Sequence, residues 1–313
     1  MSNPDVVVSN VSKKFGETQA LTDVSFDVQH GELFGLVGPD GAGKSTLFRI
    51  LTTLIVPDSG TASVLGFDVG RDLWDVRSRI GYMPGRFSLY GDLTVRENLS
   101  FFASVFGTTI EKGYELIAPI YKQIEEFSER RAADLSGGMK QKLALSCALV
   151  HRPEMLFLDE PTTGVDAVSR HEFWDQLAKL KASGLTILVS TPYMDEAMRC
   201  DRVALMQNGQ ILHIDRPSDV GRHYPLPLLR VIGAKRYQML LALRAAPHAH
   251  AVYPFGAEIH FTDDRPGYPS DKISTELSDF LKDRGFEDVT VDAMEAGIED
   301  NFMELMATQA RAS

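Results

Sequence analysis

The chain has 313 residues, of which 44% are apolar, 24% charged and 9% aromatic, and its 32 Lys and Arg against 43 Asp and Glu give a net charge of −11. The apolar share fills a core, which excludes a chain disordered throughout, and the length predicts two domains at about 150 residues each. The acidic balance argues against bulk affinity for nucleic acid, where cations must neutralise phosphates, and leaves room for a local basic groove. No stretch reaches the roughly 18 uncharged apolar residues of a spanning helix. The opening MSNPDVVVSN carries neither a basic nor an apolar leader region, so the chain reads as soluble. Cys147 and Cys200 stand at no metal-ligand spacing and read as half-buried thiols of a reducing compartment.

In chain order, Asp5–Ser12, Leu21–Gln29 and Leu33–Val37 read as strands, and Leu47, Ile50, Leu51 and Leu54 recur at helical spacing over residues 44–54. A turn at 57–60 precedes short strands at Thr61–Leu65 and Arg79–Met83. Residues 94–132 read as mainly helical, broken near Gly107 and Gly113. A helix opens at Ser136 and ends before Pro153, followed by a strand at Met155–Leu158, a helix at Val168–Ser183 and a strand at Leu185–Ser190. Strands alternating with helices predict a parallel α/β sheet, with the opening strands forming a β subdomain. Pro217, Pro225 and Pro227 crowd a boundary between a first domain, 5–222, and an accessory domain, 228–313. Beyond it the order strand, helix, strand, strand, helix, strand predicts a small ferredoxin-like α+β domain, followed by a helix over Ile298–Gln309.

The strongest motif is Gly38-Pro39-Asp40-Gly41-Ala42-Gly43-Lys44-Ser45, a full phosphate-loop match between a predicted strand and a predicted helix, with Thr46 next in line. Its glycines let backbone N–H groups curl around phosphate oxygens at the positive end of a helix. Lys44 is expected to reach the β- and γ-phosphates, and the Ser45 hydroxyl to bind Mg²⁺. The apolar strand ending in Asp159 and Glu160 delivers carboxylates at the ligand edge of an α/β sheet. Asp159 is expected to hold Mg²⁺, and Glu160 to orient or deprotonate the attacking water. Ser136 reads as the N-cap of a helix, or together with Gly137 and Gly138 as a second anion site, which needs a second nucleotide to grip. A head-to-tail dimer supplies it, each copy capping the γ-phosphate held by the other.

These motifs, the LSGGMKQKL run (135–143), the LFLDEP strand (156–161) and the GVD turn (164–166) stand in the order found in ATP-binding subunits of ATP-binding-cassette (ABC) transporters, which residues 5–216 closely resemble. The resemblance implies a P-loop ABC ATPase domain with an antiparallel β subdomain and a helical subdomain, working with ATP and Mg²⁺. It implies that Phe15 stacks on adenine and that Asp166 lies in the turn joining two sites across a dimer. Ile80–Pro84 and Tyr90–Asn98 are similar to the segment that contacts the membrane subunit. The tail 297–306 is similar to ABC-2 exporters, including drug-efflux systems. The implied function is ATP-driven export through separate ABC-2-type membrane permease subunits, at the cytoplasmic face of the cell membrane, as a homodimer or a heterodimer with a second cassette. The alternatives are a weakly hydrolysing regulatory cassette and a cassette acting on ribosomes or DNA.

Two positions depart from the family. Gly85 stands where the family places a glutamine that helps bind Mg²⁺, and Pro192 where it places a histidine that contacts the γ-phosphate. Proline offers neither a side-chain donor nor an N–H. The histidines, His248 and His250 among them, read as surface or loop residues. The stretch Glu287–Glu304, with seven acids and no Lys or Arg, reads as a solvated acidic face or as a dimer-stabilising or regulatory surface.

Overall fold

A computed structural model describes residues 3–85 and 89–312, so Met1 and Ser2 of the opening decapeptide and Ser313 lie outside the described residues. The chain divides into two compact units, Met1–Pro217 and Ser218–Ser313. The first opens with β1 (Val6–Phe15), β2 (Thr18–Val28), β3 (Leu33–Val37), α1 (Lys44–Leu51), β4 (Ser59–Val64) and β5 (Phe67–Asp68). Next come α2 (Leu73–Arg79), β6 (Ile80–Met83), α3 (Val95–Val105), α4 (Ile110–Tyr121) and α5 (Gly137–Leu149). The unit closes with β7 (Met155–Asp159), α6 (Ala167–Ala182), β8 (Thr186–Thr191), α7 (Met194–Ala197), β9 (Arg202–Gln207) and β10 (Gln210–Asp215).

Two sheets result. One is antiparallel, in the order β2-β1-β4-β5; the other runs β10-β9-β3-β8-β7-β6 and is parallel except for the β9–β10 pair. Every residue of β3, β7 and β8 is buried, as expected of central parallel strands covered on both faces. One core joins the two sheets through α1: Val6, Leu21, Phe34, Phe48, Phe157 and Leu188 all belong to it. Phe48 meets Phe157 edge to face at 6.0 Å, which seats α1 on β7.

Several expectations need correction. Gly113 does not break a helix; it lies buried inside α4, where an added Cβ would meet the Val150 carbonyl oxygen at 2.1 Å. Its small size lets α4 close on the chain after α5. The β9–β10 hairpin adds to the expected elements: Asn208 (φ 48°) and Gly209 (φ 75°) form the Asn-Gly turn that favours such a pair. Both cysteines are buried rather than half-buried, and burial pushes both thiols well up.

The second unit contains α8 (Pro217–Val220), β11 (Leu228–Gly233), α9 (Arg236–Arg244), β12 (Ala249–Phe255), β13 (Glu258–Asp263), α10 (Ser270–Lys282), β14 (Val289–Ala293) and α11 (Ile298–Ala312), the first of these beginning at the boundary itself. Its antiparallel sheet runs β12-β13-β11-β14. Met239 and Leu243 of α9 and Ile273, Leu277 and Leu281 of α10 pack with Leu229, Val231 and Phe261 of the sheet. Here the histidine reading fails. His260 is buried and bonds Asp300 at 2.6 Å, while the half-buried His250 bonds Glu304 at 3.0 Å. Two acids of the run 287–304 therefore hold α11 to the sheet instead of facing solvent.

Candidate nucleotide-binding site

The phosphate-loop sequence connects the end of β3 to the first residue of α1. Gly43, just before that helix, has φ 102°, a conformation open to glycine. Gly38 lies so near β9 that a Cβ would stand 2.1 Å from the Met206 carbonyl oxygen. The loop thus owes its shape to the sheet edge beside it. Gly41 has φ 82°, Ala42 is buried, and Pro39 and Asp40 are exposed. Ser45 and Thr46 follow Lys44 in the first turn of α1.

Lys44 is 3% exposed, and its Nζ donates to the Gly38 carbonyl at 2.7 Å and the Pro39 carbonyl at 3.0 Å. The same Nζ lies 3.0 Å from Glu160 Oε1. The two motifs, 116 residues apart in sequence, therefore meet at the C-terminal edge of the parallel sheet. Asp159 ends β7, buried, and its Oδ1 accepts from the Ser190 hydroxyl at 2.7 Å. Glu160 follows with φ 50°, a left-handed conformation costly for a side chain with a Cβ. Its N–H donates to the Ser190 hydroxyl at 2.9 Å and to the Ser190 carbonyl at 3.2 Å. Ser190 thereby holds both acids. Sequence reading missed it, although a polar pair, Ser190-Thr191, closing a buried strand is a signal of the ligand edge.

Gly85 belongs to this cluster: an added Cβ would stand 3.0 Å from the Asp159 carbonyl oxygen and 3.8 Å from its carboxyl carbon. Pro192 directly follows β8 and is half-buried. Tyr82 of β6 is raised to about 12, first by burial and then by the Asp159 charge. Phe15 ends β1, 45% exposed, with Lys13 Nζ 5.6 Å over its ring. The neighbouring β2 presents Ala20 and Leu21 to Gly43, so this hairpin borders the phosphate loop.

Ser136 caps α5, accepting from the Met139 N–H at 3.4 Å. Gly137 and Gly138 pack toward the 164–169 segment of their own chain: a Cβ would meet the Gly164 carbonyl oxygen at 3.4 Å and the Ser169 hydroxyl at 2.5 Å. Asp166 caps α6 by accepting from the Val168 and Ser169 N–H groups at 3.1 and 2.9 Å. Hydrogen bonds from Ser169 hold its carboxyl below the usual range. This capping role is a local one that sequence reading did not assign.

A glycine-rich loop, a lysine, a hydroxyl and two strand-end carboxylates gathered on one sheet edge, with an antiparallel sheet against the core and a helical segment carrying a second capped turn, define a P-loop ATPase domain of the ATP-binding-cassette type. Residues 21–163 match the family model described as ABC transporter. A Nod factor export ATP-binding protein I of Bradyrhizobium diazoefficiens is 36% identical over 97% of both chains. The Escherichia coli K12 protein described as the probable multidrug ABC transporter ATP-binding protein YbhF is 42% identical over 69% of this chain, which spans only 38% of that relative's length. A dimeric ATP-binding cassette, solved in a post-hydrolysis state with ADP and Pi, superposes with a TM-score of 0.62 at 26% identity over 67% of this chain and 98% of its own. The chain belongs to the ABC transporter family, as one of its ATP-binding members.

Proposed function

We propose that the chain binds MgATP, hydrolyses it in a head-to-tail pair of cassettes, and so powers export through separate ABC-2-type membrane subunits, docked at the cytoplasmic face of the cell membrane. The observation that carries this reading is the meeting of Lys44, Asp159 and Glu160 at one sheet edge. The Lys44 ammonium neutralises β- and γ-phosphate oxygens that the loop N–H groups cradle. Those phosphates compete with Glu160 for Lys44, which frees the carboxylate to take a proton from the attacking water. Ser45 and Asp159 offer a hydroxyl and a carboxylate, hard oxygen donors of the kind Mg²⁺ takes beside phosphate oxygens. When bound, the ion neutralises charge between the β- and γ-phosphates. Phe15, exposed at the tip of β1, stacks on adenine. Ser136, Gly137 and Gly138 cap the γ-phosphate of the partner cassette, and Asp166 lies at the joining turn.

Docking on a membrane subunit is supported by a cavity of about 610 Å³ bounded by Trp74, Arg77, Tyr82, Leu89, Phe106 and His151. Ile80, Tyr82 and Met83 of the first expected partner-contact segment, 80–84, line it, and Leu89 of its rim directly precedes the second, 90–98. Trp74 is 78% exposed, an apolar surface of the kind that marks an interaction site. Asn98, fully buried, braces the second segment by bonding both the N–H and the carbonyl of Tyr90. Among the described residues no helix is long and apolar enough to cross a membrane. The relatives named for multidrug and Nod factor export favour export over action on ribosomes.

A slower, regulatory cassette is the second reading, favoured by Gly85 and Pro192. Glu160→Gln tests the first: it is expected to keep MgATP affinity, lose steady-state phosphate release and accumulate as an ATP-bound dimer. Capture of that dimer from detergent-solubilised membranes should recover membrane subunits. Recovery of ribosomal proteins in their place refutes export, and undiminished hydrolysis refutes Glu160 as the base.

A further inference from the structure

Beyond the motif residues, one carboxylate stands out. Glu196 lies in the short helix α7 and is only 2% exposed. Its Oε1 accepts from the Thr162 hydroxyl at 2.6 Å and its Oε2 from the Thr191 hydroxyl. Arg170 of α6 brings its Nε to 3.7 Å from Oε1 and lies over the Tyr193 ring at 4.5 Å. The Tyr193 N–H donates in turn to the Thr191 hydroxyl at 3.0 Å. Burying a carboxylate is costly unless its lone pairs are used, and an apolar side chain would fill the same space at lower cost. The expense is explained by what the carboxylate ties together.

Thr162 is two residues beyond Glu160, and Thr191 is one beyond Ser190. Glu160 is gripped through its own N–H by Ser190, and the chain just past it is gripped through Thr162 by Glu196. Both anchors belong to the single segment 190–196. Between them Glu160 is held at φ 50°, a conformation that persists only where surrounding contacts over-determine it. The same loop runs on to Asp166 at the head of α6, the helix that carries Arg170. We infer that Glu196 is a positioning residue for hydrolysis: it locks the loop 160–166 to the end of β8 and thereby sets where the Glu160 carboxylate points. It touches neither the phosphate loop nor the Lys44 contacts, so nucleotide binding does not depend on it. The inference rests on Glu160 acting as the base.

The test uses the full chain and compares kcat with MgATP dissociation constants. Glu196→Ala is expected to lower kcat at least about tenfold, since small misplacement of a reacting group costs up to about a hundredfold. Its MgATP Kd should stay within about threefold of wild type. Thr162→Val, which removes one hydroxyl and keeps the volume, should lower kcat in the same direction with Kd unchanged. Glu196→Gln can still accept from one threonine and donate to the other, and should recover most of the rate. Unchanged kcat in both Glu196→Ala and Thr162→Val overturns the inference. So does a parallel weakening of Kd and kcat, which marks a structural collapse. If Glu196→Ala does not fold, Thr162→Val and Glu196→Gln decide alone. Glu160→Gln, measured alongside, separates the two readings. Full activity there removes the base assignment and the inference with it, whereas a rate loss in Glu160→Gln beside unchanged rates in the Glu196 and Thr162 variants overturns the clamp alone.

Discussion

At the scale of single residues, Lys44 is the most exacting position. Its ammonium is nearly buried and already serves two loop carbonyls and Glu160, so it shapes the loop as well as awaiting phosphate. Lys44→Ala should therefore weaken MgATP binding by more than about tenfold, and also cost about 1 kcal/mol of stability for each lost loop bond. Isothermal titration and chemical denaturation measure the two effects separately. The departures at 85 and 192 make a second residue-scale case. A side chain at 85 would start 3.0 Å from the Asp159 carbonyl oxygen, so a glutamine there reaches the metal-side carboxylate after a shift of a few tenths of an ångström by its neighbour. Contacts that tighten as charge moves in the transition state raise kcat more than affinity. Gly85→Gln with Pro192→His should raise kcat at least about tenfold, some 1.4 kcal/mol of barrier, in steady-state phosphate release at saturating MgATP. Equal rates in wild type and double variant would make both positions neutral and remove the case for a slower, regulatory cassette.

At the scale of elements, close approach decides more than propensity. Gly113 sits within a helix, where glycine is intrinsically poor, because α4 passes the Val150 carbonyl too closely for a Cβ. Gly113→Ala should gain helix propensity yet lose about 1–3 kcal/mol through overpacking, seen as a lowered melting temperature with unchanged nucleotide affinity per folded molecule. Elsewhere the caps agree with local sequence. Thr94 and Glu97 form a reciprocal capping box that starts α3, and Asp166 starts α6. In the second unit α11 is fastened by polar pairs. His260 with Asp300, His250 with Glu304, and the Asn301 side chain donating to the Val220 carbonyl at 2.6 Å all hold it.

At the scale of the whole molecule, the two units have cores that share no residue, one built from 6–206 and the other from 229–281. The residues proposed to contact nucleotide lie wholly in the first. Removal of residues 218–313 should therefore leave MgATP affinity within about threefold of the full chain, measured by titration of the purified first unit. A large loss would show that the second unit supports the site. Comparing dimer formation in the same two proteins tests whether the accessory unit stabilises the pair.

The sequence by itself was enough for the phosphate loop, the strand-end acids and the order of strands and helices around them. Those features depend on contiguous residues: a glycine run must curl, and an apolar run ending in carboxylates must be a buried strand with its acids at the ligand edge. The succession of strands and helices along the accessory domain is legible for the same reason, since apolar alternation and turn signals are local, whereas the order β12-β13-β11-β14 across its sheet comes from pairing between distant segments. Only the tertiary structure decided that Lys44 pairs with Glu160, that Ser190 holds both acids, and that Gly113 packs inside a helix. It alone joined Glu196 to Thr162 and Thr191, and His260 to Asp300. An acid in a short helical turn such as Met194–Ala197 reads as solvated, because nothing in the run of residues around it tells which distant hydroxyls will close over it. Burial and pairing across 30 or more residues, as between Thr162 and Glu196, are properties of the folded packing.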